Sequence, residues 1–152
     1  MRIRQIFISP KHSFFGHHGK PPGEATITPV QEVNCVAGKG LEGDRFFEHK
    51  ENYKGQVTFF SLGVYESLCE KFDVHDKDPR VLRRNVIVSD IDLNTLIGET
   101  FEVQGIQFEG TEEAKPCYWM NQAFADGAEA AMVGNGGLRA RVLSDGILRK
   151  EA

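Results

Sequence analysis

Residues 134–150, GNGGLRARVLSDGILRK, carry the strongest local fold signal in the chain. Residues 138–143 alternate apolar and basic side chains, residues 147–150 resume an apolar run, and Asp145-Gly146 stands between them. An Asp-Gly step between apolar runs predicts a tight hairpin, because both turn residues then adopt positive φ. The same grammar recurs upstream. Residues 100–103 and 106–109 alternate Phe101/Val103 and Ile106/Phe108 around Gln104-Gly105, which predicts a second hairpin with a two-residue turn. Residues 2–9 (RIRQIFIS), 56–61 (QVTFFS) and 85–89 (NVIVS) are short β-branched and aromatic runs bounded by turn residues, and read as strands.

Helical spacing is rarer. Leu62, Tyr65, Leu68, Cys69 and Phe72 recur at i, i+3, i+4 intervals with Ser61 placed as an N-cap. A shorter helix is expected from Cys117 to about Ala125, and one further turn at residues 92–96. Residues 12–24 (HSFFGHHGKPPGE) are rich in Gly, Pro and His and read as a loop. Several strands, Gly-rich turns and few helices predict a mainly β (α+β) fold, a small closed or partly closed β-barrel, in a single domain over residues 1–152.

Composition narrows the function. The 152 residues are 40% hydrophobic and 26% charged, values of an ordinary globular protein. No apolar run reaches the ~18 residues of a membrane span, and the N-terminal MRIRQIFISPKH lacks the apolar region of a secretory signal. A cytoplasmic protein with no membrane partner is expected. The net charge of −4 argues against nucleic acid as a partner. Bases nevertheless concentrate in the second half, where a local anion site is possible. Three cysteines without zinc-finger spacing predict reduced thiols. The histidines lack metal-ligand spacing, and His17-His18 would hold at most adventitious metal. No GxSxG motif points to a hydrolase.

Cys117 follows Pro116 after the expected end of a strand and precedes an expected helix. Helix N-terminal amides and the adjacent Lys115 both favour a thiolate there, and a thiolate suits a soft metal or a transferable sulfur atom. A small buried core residue is the competing reading. Cys69, on the apolar stripe of the longer helix, and Cys35, alternating with Val33, read as core. Arg83-Arg84-Asn85 stands before an apolar strand, where two guanidiniums can grip an oxyanion in bidentate geometry or simply form a solvated loop. Asp44-Arg45 follows Gly43; either the two cap the next element or pair with each other, or Arg45 points into a barrel mouth while Asp44 orients it or a ligand. In residues 134–137, Gly136 and Gly137 allow backbone amides to approach an anion. The motif is neither a Walker A loop nor a dinucleotide fingerprint. Arg139 and Arg141, two apart on a strand, share a face.

Taken in order, these segments resemble the MOSC domain, found at the C-terminus of molybdenum-cofactor sulfurases and as small standalone proteins. The resemblance runs through GLEGDR (residues 40–45), QVTFFS with Glu66 in the helix after it, and RRNVIV (residues 83–88). It continues through DL…LIGETFEV, KPC (residues 115–117) and GNGGLRARVLSDG (residues 134–146). It covers roughly residues 33–147. It implies a β-barrel core with peripheral helices, and it makes Cys117 the counterpart of the family's functional cysteine, which carries sulfur as a persulfide or ligates molybdenum. It also makes Asp44, Arg45, Arg83, Arg84, Asn85, Lys115, Gly136, Gly137, Arg139 and Arg141 candidates for binding the molybdenum cofactor (molybdopterin). The sequence departs from the family at Phe46, where His often follows GDR, and in ending at RKEA rather than with a Gly-Asp step.

The expected function is binding of molybdenum cofactor, carriage of sulfur on a Cys117 persulfide for metal–sulfur cofactor maturation, or both. A molybdenum-dependent reductase of N-hydroxylated compounds and a non-catalytic anion- or partner-binding barrel are the alternatives. Enzymatic status, as a sulfurtransferase-like carrier or an oxidoreductase, stays open. The chain has no pyridoxal-phosphate, flavin or iron–sulfur motif of its own. A pyridoxal-phosphate-dependent cysteine desulfurase or an electron-transfer protein is therefore the expected partner.

Overall fold

The computed structural model describes residues 1–10 and 27–152. The loop expected at residues 12–24, with His17-His18, lies outside the described residues. The chain is mainly β. Its strands are β1 (Arg2–Ile8), β2 (Thr28–Val30), β3 (Glu32–Val36), β4 (Gly40–Leu41), β5 (Val57–Ser61), β6 (Val86–Ser89), β7 (Thr100–Val103), β8 (Ile106–Glu113), β9 (Leu138–Val142) and β10 (Gly146–Arg149). Three helices, α1 (Leu62–Phe72), α2 (Trp119–Ala123) and α3 (Ala128–Met132), join 3₁₀ turns at Pro79–Leu82 and Leu93–Leu96. Among the described residues no helix is long and apolar enough to cross a membrane.

Seven strands form one mixed sheet in the order β2-β1-β6-β5-β9-β8-β7, and β10-β3-β4 form a second sheet of three. Among the described residues only the β5–β6 pair is parallel, with α1 making the crossover; the other pairings are antiparallel. Successive residues of the central strands serve opposite faces. Ile6, Phe59, Val86 and Val88 join one apolar cluster with Cys35, Leu41 and Leu148 of the small sheet. Phe7, Phe60 and Ile87 join another with Tyr65, Leu68, Met120, Phe124 and Met132 of the helices. The large sheet is thus sandwiched between the small sheet and a helical layer. Strands apolar on both faces need two covering layers. The described strands accordingly stay open at β2 and β7 and do not close into the expected barrel.

Local capping behaves as the sequence predicts at α1. Ser61 Oγ accepts from the Val64 N–H at 3.2 Å, and Asp73 closes the helix in the left-handed region at φ 55°. Gln104 and Gly105, at φ 53° and 82°, make the β7–β8 hairpin. Strand β8 runs four residues past the expected Glu109.

The hairpin expected at Asp145-Gly146 does not form. Strand β9 pairs with β5 and β8 in the large sheet, while β10 crosses to the small sheet and pairs with β3. Neither Asp145 nor Gly146 has positive φ. Asp145 Oδ1 instead accepts from the Ala37 N–H at 2.8 Å, and Ser144 Oγ from the Gln107 N–H at 2.8 Å. The corner side chains are bonded outward to other strands, so tertiary pairing overrides the local turn preference.

Asn85 ties the middle of the sheet together. Its Oδ1 accepts from Thr58 N–H at 3.0 Å, its Nδ2 donates to Phe7 O at 3.2 Å, and its own N–H donates to Thr58 Oγ1 at 3.0 Å. One buried amide therefore spans β1, β5 and the start of β6. Replacing it with an apolar isostere leaves Thr58 N–H and Phe7 O unpaired. Asn85→Leu is expected to cost about 2–4 kcal/mol, read as a lower urea midpoint at unchanged m-value.

Candidate functional site

The 3₁₀ turn ahead of β6 ends at Arg83, which takes the left-handed conformation at φ 61° while its N–H donates to Arg80 O at 3.0 Å. This kink lets two consecutive arginines border the same space. Arg83 is buried, with its Cζ 5.4 Å from the Trp119 ring centroid. Trp119 in turn donates Nε1–H to Val81 O at 2.9 Å, docking α2 on the 3₁₀ turn. Arg84 extends the other way and donates to Gly136 O (2.8 Å), Ala114 O (2.8 Å) and Leu82 O (3.3 Å).

The arginines and Cys117 share one cavity of about 370 Å³. Arg45, Arg83, Arg84, Lys115, Arg139 and Cys117 all line it, so the fold gathers six of the sequence-derived candidates. Cys117 is half-buried and Lys115 exposed, which puts the thiol toward the mouth. Its carbonyl accepts from the Met120 N–H at 2.9 Å, fixing the Pro116-Cys117 corner against α2.

The other candidates frame the cavity without lining it. Asp44 is buried and accepts from Ser9 N–H (3.0 Å) and Phe46 N–H (3.3 Å), with Arg45 Nη1 at 3.6 Å from its Oδ1. Asn85 is the sheet tie described above. Gly136 passes so close to the 114–116 segment that a Cβ would lie 2.2 Å from Ala114 O. Gly137 packs equally tightly on Phe59 O. These glycines allow two backbone segments to touch. Arg141 shares the face of Arg139, as its spacing predicts, but is used farther along the strand, bonding Glu109 (2.9 Å) and Asn52 O (3.1 Å). Glu66 is exposed on α1.

Several lining residues were not legible in the sequence. Glu112 and Glu113 arrive because β8 continues past Glu109 through a register shift between Gly110 and Glu112. Glu112 bridges Arg139 (2.9 Å) and Lys54 (3.1 Å), and these bonds hold its carboxyl below the usual range. Glu113 Oε2 accepts from Gly136 N–H at 3.0 Å. Phe46, Thr58, Trp119 and Met120 complete the wall. Phe46 stacks on Tyr53 at 5.6 Å, and Tyr53 Oη accepts from Arg139 Nη2 at 3.1 Å. The aromatic residue after Arg45 and the Trp beside Cys117 were the available signals.

Electrostatics follow from crowding cations in a recess. Burial pushes Arg83 down to about 10, Arg45 repels it further, and Cys117 and Asp44 oppose the shift. Burial likewise brings Arg84 to about 10, with Cys117 opposing and Arg139 and Arg45 adding repulsion. Both remain charged at neutral pH, so the cavity is electropositive and its thiol lies within reach of that field. Among the described residues no cluster of three His, Cys, Asp or Glu side chains could hold a metal ion.

Residues 17–151 match the MOSC domain. The chain belongs to the MOSC domain family. No curated protein matches the sequence. Among solved structures, this MOSC domain is similar to the YuaD protein from Bacillus subtilis, with TM-score 0.78 and 17% identity over 98% of this chain and 91% of that one. It is also similar to YiiM from Escherichia coli, with TM-score 0.65 and 17% identity over 98% of this chain and 66% of the other. YiiM from Geobacillus stearothermophilus gives TM-score 0.69 at 13% identity, over 97% and 70%. At such identities the likeness concerns the fold.

The field at the MOSC cavity makes a thiol-labelling prediction. Cys35 is 1% exposed and burial pushes its thiol up to about 12, so it stays silent in the folded protein. Cys117 is expected to react faster with an anionic disulfide reagent than with neutral iodoacetamide, relative to free N-acetylcysteine, and added salt should narrow the gap. The label lost in Cys117→Ser measures this; equal relative rates in low salt would refute an electropositive mouth.

Proposed function

We propose that this MOSC domain binds the molybdenum cofactor in the cavity between Arg45, Arg83 and Cys117, with Cys117 presenting sulfur to the guest. The observation that carries the reading is the co-location of one half-buried thiol with a set of basic side chains that outnumber the acids lining the same recess. The donor set suits a phosphorylated pterin. Guanidiniums match a phosphate's charge and shape, and Phe46, Trp119 and Met120 offer apolar surface to a flat ring. A thiol is the soft ligand type expected for a thiophilic metal. The described residues offer no multidentate metal cluster, so a metal held here would arrive already ligated, as it does within a cofactor.

When bound, the cofactor supplies the molybdenum centre. The chain's own residues do the rest. Arg45, Arg83 and Lys115 supply the positive charge that attracts the anion, while Arg84 keeps the 114–117 segment in place through its carbonyl bonds. Trp119 keeps Arg83 from folding away.

Exposure of the rim favours a second reading compatible with the first, in which Cys117 carries sulfane sulfur. Tyr118, beside the thiol, is 42% exposed, which leaves the approach to Cys117 open to a protein donor. The Cys117 thiolate would attack the terminal sulfur of a donor persulfide, forming a new S–S bond. The donor cysteine would leave as its thiolate, with no net oxidation. A cysteine desulfurase is the donor class this step requires.

Protein produced in a host that makes molybdenum cofactor is expected to co-purify with pterin and molybdenum, and Arg83→Gln to retain several-fold less of both. Incubation with a cysteine desulfurase and cysteine should add the mass of one sulfur atom to wild type and none to Cys117→Ser. Protein free of pterin, of molybdenum and of added sulfur would overturn the proposal.

A further inference from the structure

The arginines of the cavity are not equivalent. Arg84 spends its N–H groups on three backbone carbonyls, and Arg139 spends its own on Glu112 and Tyr53. Arg45 differs. Its side chain is only 8% exposed, yet its Nε–H is buried with no hydrogen-bond partner. The nearest carboxylate oxygen, Asp44 Oδ1, stands 3.6 Å from Nη1, outside hydrogen-bonding distance. Asp44 has no freedom to come closer, because the Ser9 and Phe46 amides hold both of its oxygens. The Phe46 ring, 4.7 Å from Cζ, supports the guanidinium without accepting from it in the plane.

A buried charged donor left without an acceptor is costly. Its neighbour compounds the cost: repulsion from Arg45 is the second-largest cause of the lowered Arg83 pKa, so two like charges are held near each other. Asp44 neutralises Arg45 in charge but leaves its Nε–H open, the arrangement of a receptor preformed for negative charge.

We propose that Arg45 seats an oxyanion subsite in this cavity, its guanidinium receiving a tetrahedral oxyanion that completes the hydrogen bonding Asp44 leaves unmade. The inference rests on the reading of this cavity as the binding site and adds which charge receives the anion. A phosphate monoester at the end of a larger ligand and a free oxyanion share this chemistry.

The test is calorimetric titration of the full chain at low ionic strength with inorganic phosphate and with phenyl phosphate. Saturable binding is expected, weakened about tenfold or more in Arg45→Lys, which keeps the charge but loses the planar fork. Arg149→Gln, on the small sheet and outside the cavity, should titrate like wild type. Tighter binding of phenyl phosphate assigns the site to a monoester, and equal affinity assigns it to a free oxyanion. In the unmutated protein, phosphate should also shift the Arg45 Nε–H resonance and slow its exchange, which keeps the test open if Arg45→Lys fails to fold. No saturable binding of either probe, or wild-type affinity in Arg45→Lys, would overturn the inference. Phosphate bound through Arg45 by protein that takes up no pterin would sink the cofactor reading alone. Pterin uptake with a phosphate titration indifferent to Arg45 would sink this one alone.

Discussion

The site depends on one guanidinium that is not free to bind anything. Arg84 donates to carbonyls of Leu82, Ala114 and Gly136, three residues far apart in sequence. It thereby pins the end of β8, the loop before β9 and the entry to β6 at a single point. Where these segments meet, Gly136 is in backbone contact with the 114–116 segment, so a side chain there would wedge them apart. Cys117 follows immediately and is fixed in turn by α2. A buried charge held by carbonyls alone is expensive in isolation, as its fall to about 10 records. The full set of hydrogen bonds is what offsets that cost.

From this joint the charges divide by task. Arg84 builds the wall, Arg139 is occupied at the edge by Glu112 and Tyr53, and Arg141 serves the outer strand face. Arg45 and Arg83 occupy the recess, one braced by Phe46 and the other by Trp119. The bracing groups are aromatic faces, which steady a guanidinium without themselves accepting from its in-plane N–H groups. Strand alternation makes this possible: Arg139 reaches the cavity because Leu138 and Ala140 on its flanks point into the core.

Legibility in the sequence follows the range of the interaction that decides each feature. Helix α1 was readable because its apolar spacing and its Ser61 cap act within a few residues. The Gln104-Gly105 hairpin was readable for the same reason. Asp145-Gly146 carried an equally strong local signal and misled, because Ala37 and Gln107, remote in sequence, bind the corner side chains. Strands β2 and β4 are too short to show a period, and α3 spans barely more than one turn. The two-sided burial of β5 and β6 was written in consecutive apolar residues, Phe59-Phe60 and Val86-Ile87-Val88, but the pattern was read there only as strand, and a barrel was expected. At the site, the basic residues and the thiol were legible as types. Their separation into wall, edge and recess was not, since it turns on the carbonyls of Leu82, Ala114 and Gly136 and on carboxylates beyond the expected end of β8.

The net charge of −4 constrains how a guest reaches this recess. Beyond roughly a Debye length, about 8 Å at physiological salt, the surface gives an anion little net attraction. Inside the cavity, low dielectric and crowded cations make the attraction strong. Such a field does little to steer a small ion from a distance but holds well whatever enters. A guest that also buries apolar surface against Phe46, Trp119 and Met120 gains free energy a bare ion cannot. On the proposed cofactor reading, the recess therefore selects for the combination of negative charge with a flat apolar body. On the same reading, the Cys117 thiol is left for the part of that guest, or of a docking donor, that remains outside.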